Sequence, residues 1–129
     1  MLFRSPKHYR YPDRTLRDEL RLEVGGVSIE LHHDKGETDD HLWAYLPERR
    51  VLYTGDLFIW AAPNCGNPQK VQRYPREWAL ALRKMQALSA ERLLPGHGPP
   101  IIGADRVRQA LGDAAELIES IVKIGRAHV

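Results

Sequence analysis

The residues best suited to chemistry lie in three short segments. They are Gly36-Glu37-Thr38-Asp39-Asp40-His41, Thr54-Gly55-Asp56 and Pro95-Gly96-His97-Gly98. Each borders an apolar run and contains glycine or an Asp/Thr turn former, so each reads as a loop at a strand end. Loops held by a rigid scaffold are where metal ligands and catalytic groups concentrate. Two carboxylates, Glu37 and Asp56, and one imidazole, His97, are donor types that divalent metal ions accept. Taken singly, each has a plainer reading. An Asp after Thr-Gly caps a turn through its own side chain, a His between glycines is a surface turn, and Glu37 is a solvated loop carboxylate. Asp39 and Asp40 are either turn formers or groups that orient neighbouring ligands by hydrogen bonds. His41 opens the next strand and bonds within the loop. His32 and His33 are adjacent, so they face opposite sides of a strand and do not chelate one ion together.

Alternating and helical patterns supply the elements that position these loops. Leu20, Leu22 and Val24 alternate with charged residues, Gly25-Gly26 turns the chain, and Val27, Ile29 and Leu31 alternate again, which predicts a hairpin. Residues 41–46 and 51–53 predict a second pair of strands around the turn Pro47-Glu48-Arg49-Arg50. Four strands joined by short turns imply an antiparallel or mixed sheet. A helix is expected near Pro75, with Glu77 at its positive end and Trp78, Leu82, Met85 and Leu88 on its buried face. Arg92-Leu93-Leu94 reads as a short buried strand leading to His97. A second helix starts near Ala104, with Val107, Leu111, Ala114, Ile118 and Ile121 as its apolar stripe. Trp43, Trp60 and Trp78 are assigned to core packing. Lys70 and Arg73, in the cationic stretch before Pro75, are candidate anion contacts at a substrate rim, although a solvated loop explains them as well.

The three segments, in their order and with the strands between them, resemble the C-terminal half of a metallo-β-lactamase-fold hydrolase. The likeness is nearest to the alkylsulfatase-like branch, where carboxylates replace some histidine ligands. The resemblance implies an α/β fold, half of an αββα sandwich with helices on one face of the sheet and the other face packed on a second sheet. It implies that Glu37, Asp56 and His97 are metal ligands, with Asp56 bridging two divalent ions, and that Asp40 and His41 support them. Zinc is the first expectation; Glu37 as an oxygen donor keeps iron and manganese open. The implied reaction is hydrolysis by a metal-activated water, on a sulfate ester, thioester or lactone. The family's His-x-His-x-Asp-His segment is absent, and His32-His33-Asp34 lacks its spacing. A non-catalytic fragment that dimerises or binds a partner through an exposed sheet face is the rival expectation.

Bulk properties narrow the classes. The chain has 129 residues, a net charge of +2 and 28% charged residues, which suits one domain at most and gives no electrostatic case for nucleic acid. No Gly-x-Gly-x-x-Gly, Walker or Gly-x-Ser-x-Gly motif occurs. The single cysteine, Cys65, excludes an intrachain disulfide, and no apolar run is long enough for a membrane span. A cytoplasmic protein acting on a small ester, without nucleic acid or membrane, is expected. Residues 1–15 read as a connecting arm and 16–123 as the half-domain. Lys123–Val129 equals one translated frame of a common sequencing adapter, so 124–129 are expected to be read-through rather than native chain.

Overall fold

The structure is a computed structural model that describes residues 11–65 and 73–127, with the side chains of the last two left aside. Six strands form one sheet in the order β1(Glu19–Val24), β2(Val27–Asp34), β3(His41–Leu46), β4(Val51–Gly55), β5(Arg92–Pro95) and β6(Ile101–Ile102). All neighbours pair antiparallel except β4 and β5, which are parallel, so the sheet is mixed. Helix α1(Pro75–Gln86) lies between β4 and β5 in sequence, and α2(Ala104–Ala127) follows β6.

Local chemistry explains the connections. Val24 pairs with Val27 across Gly25 and Gly26, whose φ of 58° and 76° match the two positive dihedrals a tight primed turn needs. Between β3 and β4 the Pro47–Arg49 segment closes one 3-10 turn, ending at Arg50 with φ 50°. Helix α1 starts with Pro75, which loses no needed N–H there, and carries Glu77 in its first turn and Arg83 and Lys84 in its last.

The core lies between one sheet face and the two helices. Trp43, Tyr45, Leu52, Leu93 and Ile101 face Trp78, Ala81, Leu82 and Met85 of α1 and Val107, Leu111, Ala115 and Ile118 of α2. Cross-strand register puts Tyr45 opposite Leu52, Leu52 opposite Leu93, and Leu93 opposite Ile101, so they share that face. The alternate residues form the other face: Leu20, Leu22, Val27, Ile29, Leu31, Leu42, Ala44, Val51, Tyr53, Leu94 and Ile102. Neither helix packs on it, and although Val51 is buried there, Leu42 and Ile102 remain 48% and 53% exposed.

Four sequence expectations need correction. β6 was not foreseen, because two residues are too few for an alternation to register. Trp60 is not core: it is 55% exposed. On α1, Leu88 lies beyond the helix end and packs only on the core margin. On α2 it is Ala115, not Ala114, that is fully buried, and Ile121 is partly exposed. For Ile121 the cause is length: 24 residues against 12 make α2 about 36 Å long and α1 about 18 Å, so the last turns of α2 outrun their cover. That helix continues through Ala127, and Ile124 is 61% exposed. Among the described residues no helix is long and apolar enough to cross a membrane.

Candidate functional site at the carboxyl edge of the sheet

Strand direction decides where the three segments meet. β4 and β5 run parallel, and β2 runs parallel to β4 because two antiparallel steps separate them. The loops after β2, β4 and β5 therefore leave at one edge, and these carry Glu37, Asp56 and His97. Loops at the carboxyl ends of parallel strands are a usual place for ligand sites. β2 is two strand widths from β4, about 10 Å.

Asp56 and His97 meet directly. His97 Nδ1 lies 2.7 Å from Asp56 Oδ1. A carboxylate only accepts, so Nδ1–H donates and the outward Nε2 of a neutral ring keeps its lone pair. The approach depends on Gly96: its N–H donates to Gly55 O at 2.9 Å, and a Cβ there would strike Asp56 Oδ1 and the Gly55 backbone. The register with β5 shifts between Tyr53 and Gly55, an irregularity that bends β4 just before Asp56. His41 supports this bend from beneath. Its Nε2 lies 3.3 Å from Thr54 O, and a side chain on Gly55 (φ 53°) would come within 2.7 Å of that nitrogen. Leu57 N–H also donates to Thr54 O, at 3.2 Å.

Glu37 is held differently. Its carboxylate is ion-paired with the Arg73 guanidinium, and Arg73 also donates to Glu37 O at 3.4 Å. The loop is fastened further by Tyr74 N–H to Gly36 O at 3.0 Å, His33 Nε2 to Asp39 O at 2.7 Å, and Lys35 over the Tyr74 ring. Gly36 is buried against Leu57 and the Trp78 ring, and Trp78 Nε1–H donates to Leu57 O at 2.6 Å. Arg73, expected at a substrate rim, is thus mostly buried and engaged with Glu37, while Lys70 lies outside the described residues. Asp40 is exposed. His32 is buried away from this edge, stacked on Trp43 at 4.0 Å, with Nδ1 3.1 Å from Glu19.

The donor set fits a metal ion in part. Asp56 and the free nitrogen of His97 are the carboxylate and imidazole a borderline divalent ion takes, and three or four protein donors complete such a centre. Among the described residues no three His, Cys, Asp or Glu side chains are gathered closely enough to hold one. A polar cleft of about 400 Å³ between α1 and α2, lined by Arg83, Gln86 and Arg108, includes none of these residues. Its arginines are paired with Glu119 and Asp105.

A family profile described as the Metallo-beta-lactamase superfamily matches residues 2–97. The chain belongs to that superfamily. It is 30% identical over 104 residues to the linear primary-alkylsulfatase of Pseudomonas sp. (strain ATCC 19151), covering 78% of this chain and 19% of that protein. It is 28% identical to a beta-lactamase-like protein 2 homolog of Caenorhabditis elegans, over 86% of this chain and 36% of that one. Among solved structures, a double mutant of the sec-alkyl sulfatase PisA1 superposes with a TM-score of 0.71 at 26% identity, over 81% of this chain and 17% of the other. The chain thus spans well under half the length of these relatives. The six-stranded mixed sheet with its helices is a part of the α/β metallo-beta-lactamase fold.

The glycines flanking His97 read from sequence as a backbone chosen to aim its imidazole; the close approach of Gly96 to Asp56, the role of Gly55 and the Arg73 clasp are additions of the structure. The glycines did flank the candidate ligands, and that adjacency was the available signal. The Glu37–Arg73 pairing spans 36 positions and left none.

Proposed function

We propose that this chain carries the Asp56–His97 part of a hydrolytic metal centre whose substrate is an ester, a sulfate ester ahead of a thioester or lactone. The observation that carries the reading is the 2.7 Å contact between Asp56 and His97 at the ends of two parallel strands. The alkylsulfatase relatives favour the sulfate ester. Asp56 and His97, with Glu37 once released from Arg73, would hold divalent metal, zinc first and iron or manganese as alternatives, in a two-ion centre. Bound there, such ions supply a water of lowered pKa and an electrophilic clamp on the ester.

The chain's own residues prepare the site. His41 fixes the Thr54 carbonyl and so the direction of Asp56, and Gly96 lets the His97 loop close on that carboxylate. His97 Nδ1–H holds the carboxylate while Nε2 stays directed outward. Asp40, exposed on the first loop, is free to orient the ligands of that loop by hydrogen bonds. The test is metal content and hydrolysis of aryl sulfate, thioester and lactone substrates by the chain supplied with a His-x-His-x-Asp-His half-domain, as wild type, Asp56→Ala and His97→Ala. Activity in wild type and its loss in both variants supports the reading, and full activity in either variant refutes it.

A second reading rests on the apolar sheet face. Leu42, Tyr53, Ile102 and their neighbours form a contiguous surface of the kind that marks association. It would serve a second copy of the chain, giving a homodimer with no catalytic role. Sedimentation separates the two: a monomer at all concentrations rejects the dimer. We place the protein in the cytoplasm. Cys65 is the one cysteine of this chain, as is common where thiols stay reduced, and burial pushes its thiol pKa up, which suits an inert side chain.

A further inference from the structure

Trp60 is the largest apolar side chain left open near the candidate site, and it is fixed in place. Its indole is 55% exposed, yet its one polar atom is satisfied: Nε1–H donates to Pro99 O at 2.9 Å. Phe58 meets the ring edge-on, with centroids 5.8 Å apart at 80°. On the remaining side lies Gly98, at φ 90°, where an added Cβ would come within 2.5 Å of the indole Cδ1. The ring is therefore anchored on the same loop that carries His97, four residues beyond Asp56 in the chain. An exposed tryptophan costs hydrophobic free energy, and an exposed one held by three separate contacts is built to present a surface. The neighbouring Phe58, by contrast, is buried at 4% exposure, so the segment after Asp56 sends one aromatic to the core and aims the other outward.

We propose that Trp60 is a specificity-determining residue: an indole wall beside His97 that receives the apolar part of the ester, a hydrocarbon chain or aromatic ring. This rests on the ester-hydrolase reading above and adds to it the residue that selects the organic group. Contact with one ring face removes part of each methylene from water, so affinity rises roughly twofold per added carbon that meets the ring. A truncated side chain removes that increment and leaves recognition of the anionic head unchanged.

The experiment follows the three indole N–H resonances of the ¹⁵N-labelled chain during titration with n-hexyl, n-octyl and n-decyl sulfate below micelle formation, and with inorganic sulfate. The Trp60 signal should move with the alkyl sulfates, while Trp43 and Trp78, at 2% and 1% exposure, stay in place. Trp60→Ala should flatten the chain-length series and weaken octyl sulfate about tenfold, with inorganic sulfate unaltered; Trp60→Phe should retain an intermediate slope. A stationary Trp60 signal overturns the proposal. So does an unchanged series in Trp60→Ala with movement at Leu42 and Ile102, which would place the alkyl chains on the open sheet face. Hydrolysis is scored separately, with the metal-loaded chain supplied with a His-x-His-x-Asp-His half-domain. No metal-dependent turnover with the Trp60 series intact defeats the hydrolase reading alone. Turnover whose KM ratio between long and short alkyl esters is unmoved by Trp60→Ala defeats the Trp60 assignment alone.

Discussion

At single residues, the site depends on small groups that let large ones meet. Gly96 is the clearest: a methyl there collides with Asp56 Oδ1 and the Gly55 backbone. Gly96→Ala should therefore lower metal affinity on the order of tenfold or more, the size seen when groups that position ligands are disturbed. Its melting temperature should fall by only a few degrees, because the position is exposed. Isothermal titration with zinc and a thermal melt check the two halves. Arg73→Ala makes the opposite kind of test, since it frees the Glu37 carboxylate from its ion pair. If Glu37 belongs to the metal set, that variant should bind zinc at least as tightly as wild type, although the first loop becomes less ordered. The residues with chemistry were legible in the sequence because Asp, His and flanking glycines form compact local patterns at 54–56 and 95–98. The partner of Glu37 was not, because Arg73 reaches it across 36 positions and no local pattern encodes that approach.

Among the elements, the helix pair supports the sheet and the sheet aims the loops. Leu82, fully buried between α1, α2 and the sheet, is a core position whose truncation leaves a cavity. Leu82→Ala should cost about 2–5 kcal/mol, measured by urea denaturation. The two helices are also joined by Arg83 to Glu119, at 2.9 Å and 3.0 Å. That hydrogen bond, then the charge of Arg83, holds the Glu119 carboxyl below its ordinary value of 4.5. A depressed carboxylate adds stability above the unfolded value and loses it as pH falls through the folded one. Glu119→Gln should thus cost about 0.5 kcal/mol at neutral pH, a size typical of a solvent-screened pair. The difference from wild type should shrink as pH drops below 4.5, and parallel urea melts at several pH values read it. The strands and both helices were visible as periodicities of two and 3.6. What escaped was β6, two residues long, and the unequal helix lengths, which set how far the apolar stripe of α2 is covered.

For the whole molecule, one sheet face is covered by helices and the other is apolar and open among the described residues. Sequence alternation encoded both faces, since Leu20, Leu22 and Val24 could only be apolar on the side opposite Glu19, Arg21 and Glu23. Which surface covers the open face is not a property of these strands. The C-terminal turns of α2 contribute little to either layer: Ile124 is exposed and Gly125 has open space around it. Removing residues 124–129 should leave the melting temperature within about a degree, as is usual for a chain terminus. The chain covers 19% of the alkylsulfatase and offers about two or three donors to a centre that takes more. It should therefore bind zinc weakly and below one equivalent, and hydrolyse little by itself. Supplying a His-x-His-x-Asp-His half-domain should raise both. The measurement that tests the central claim most directly is zinc binding by residues 1–123, in wild type, Asp56→Ala and His97→Ala. The account predicts weak binding that either substitution abolishes; zinc binding left intact in both variants would contradict it.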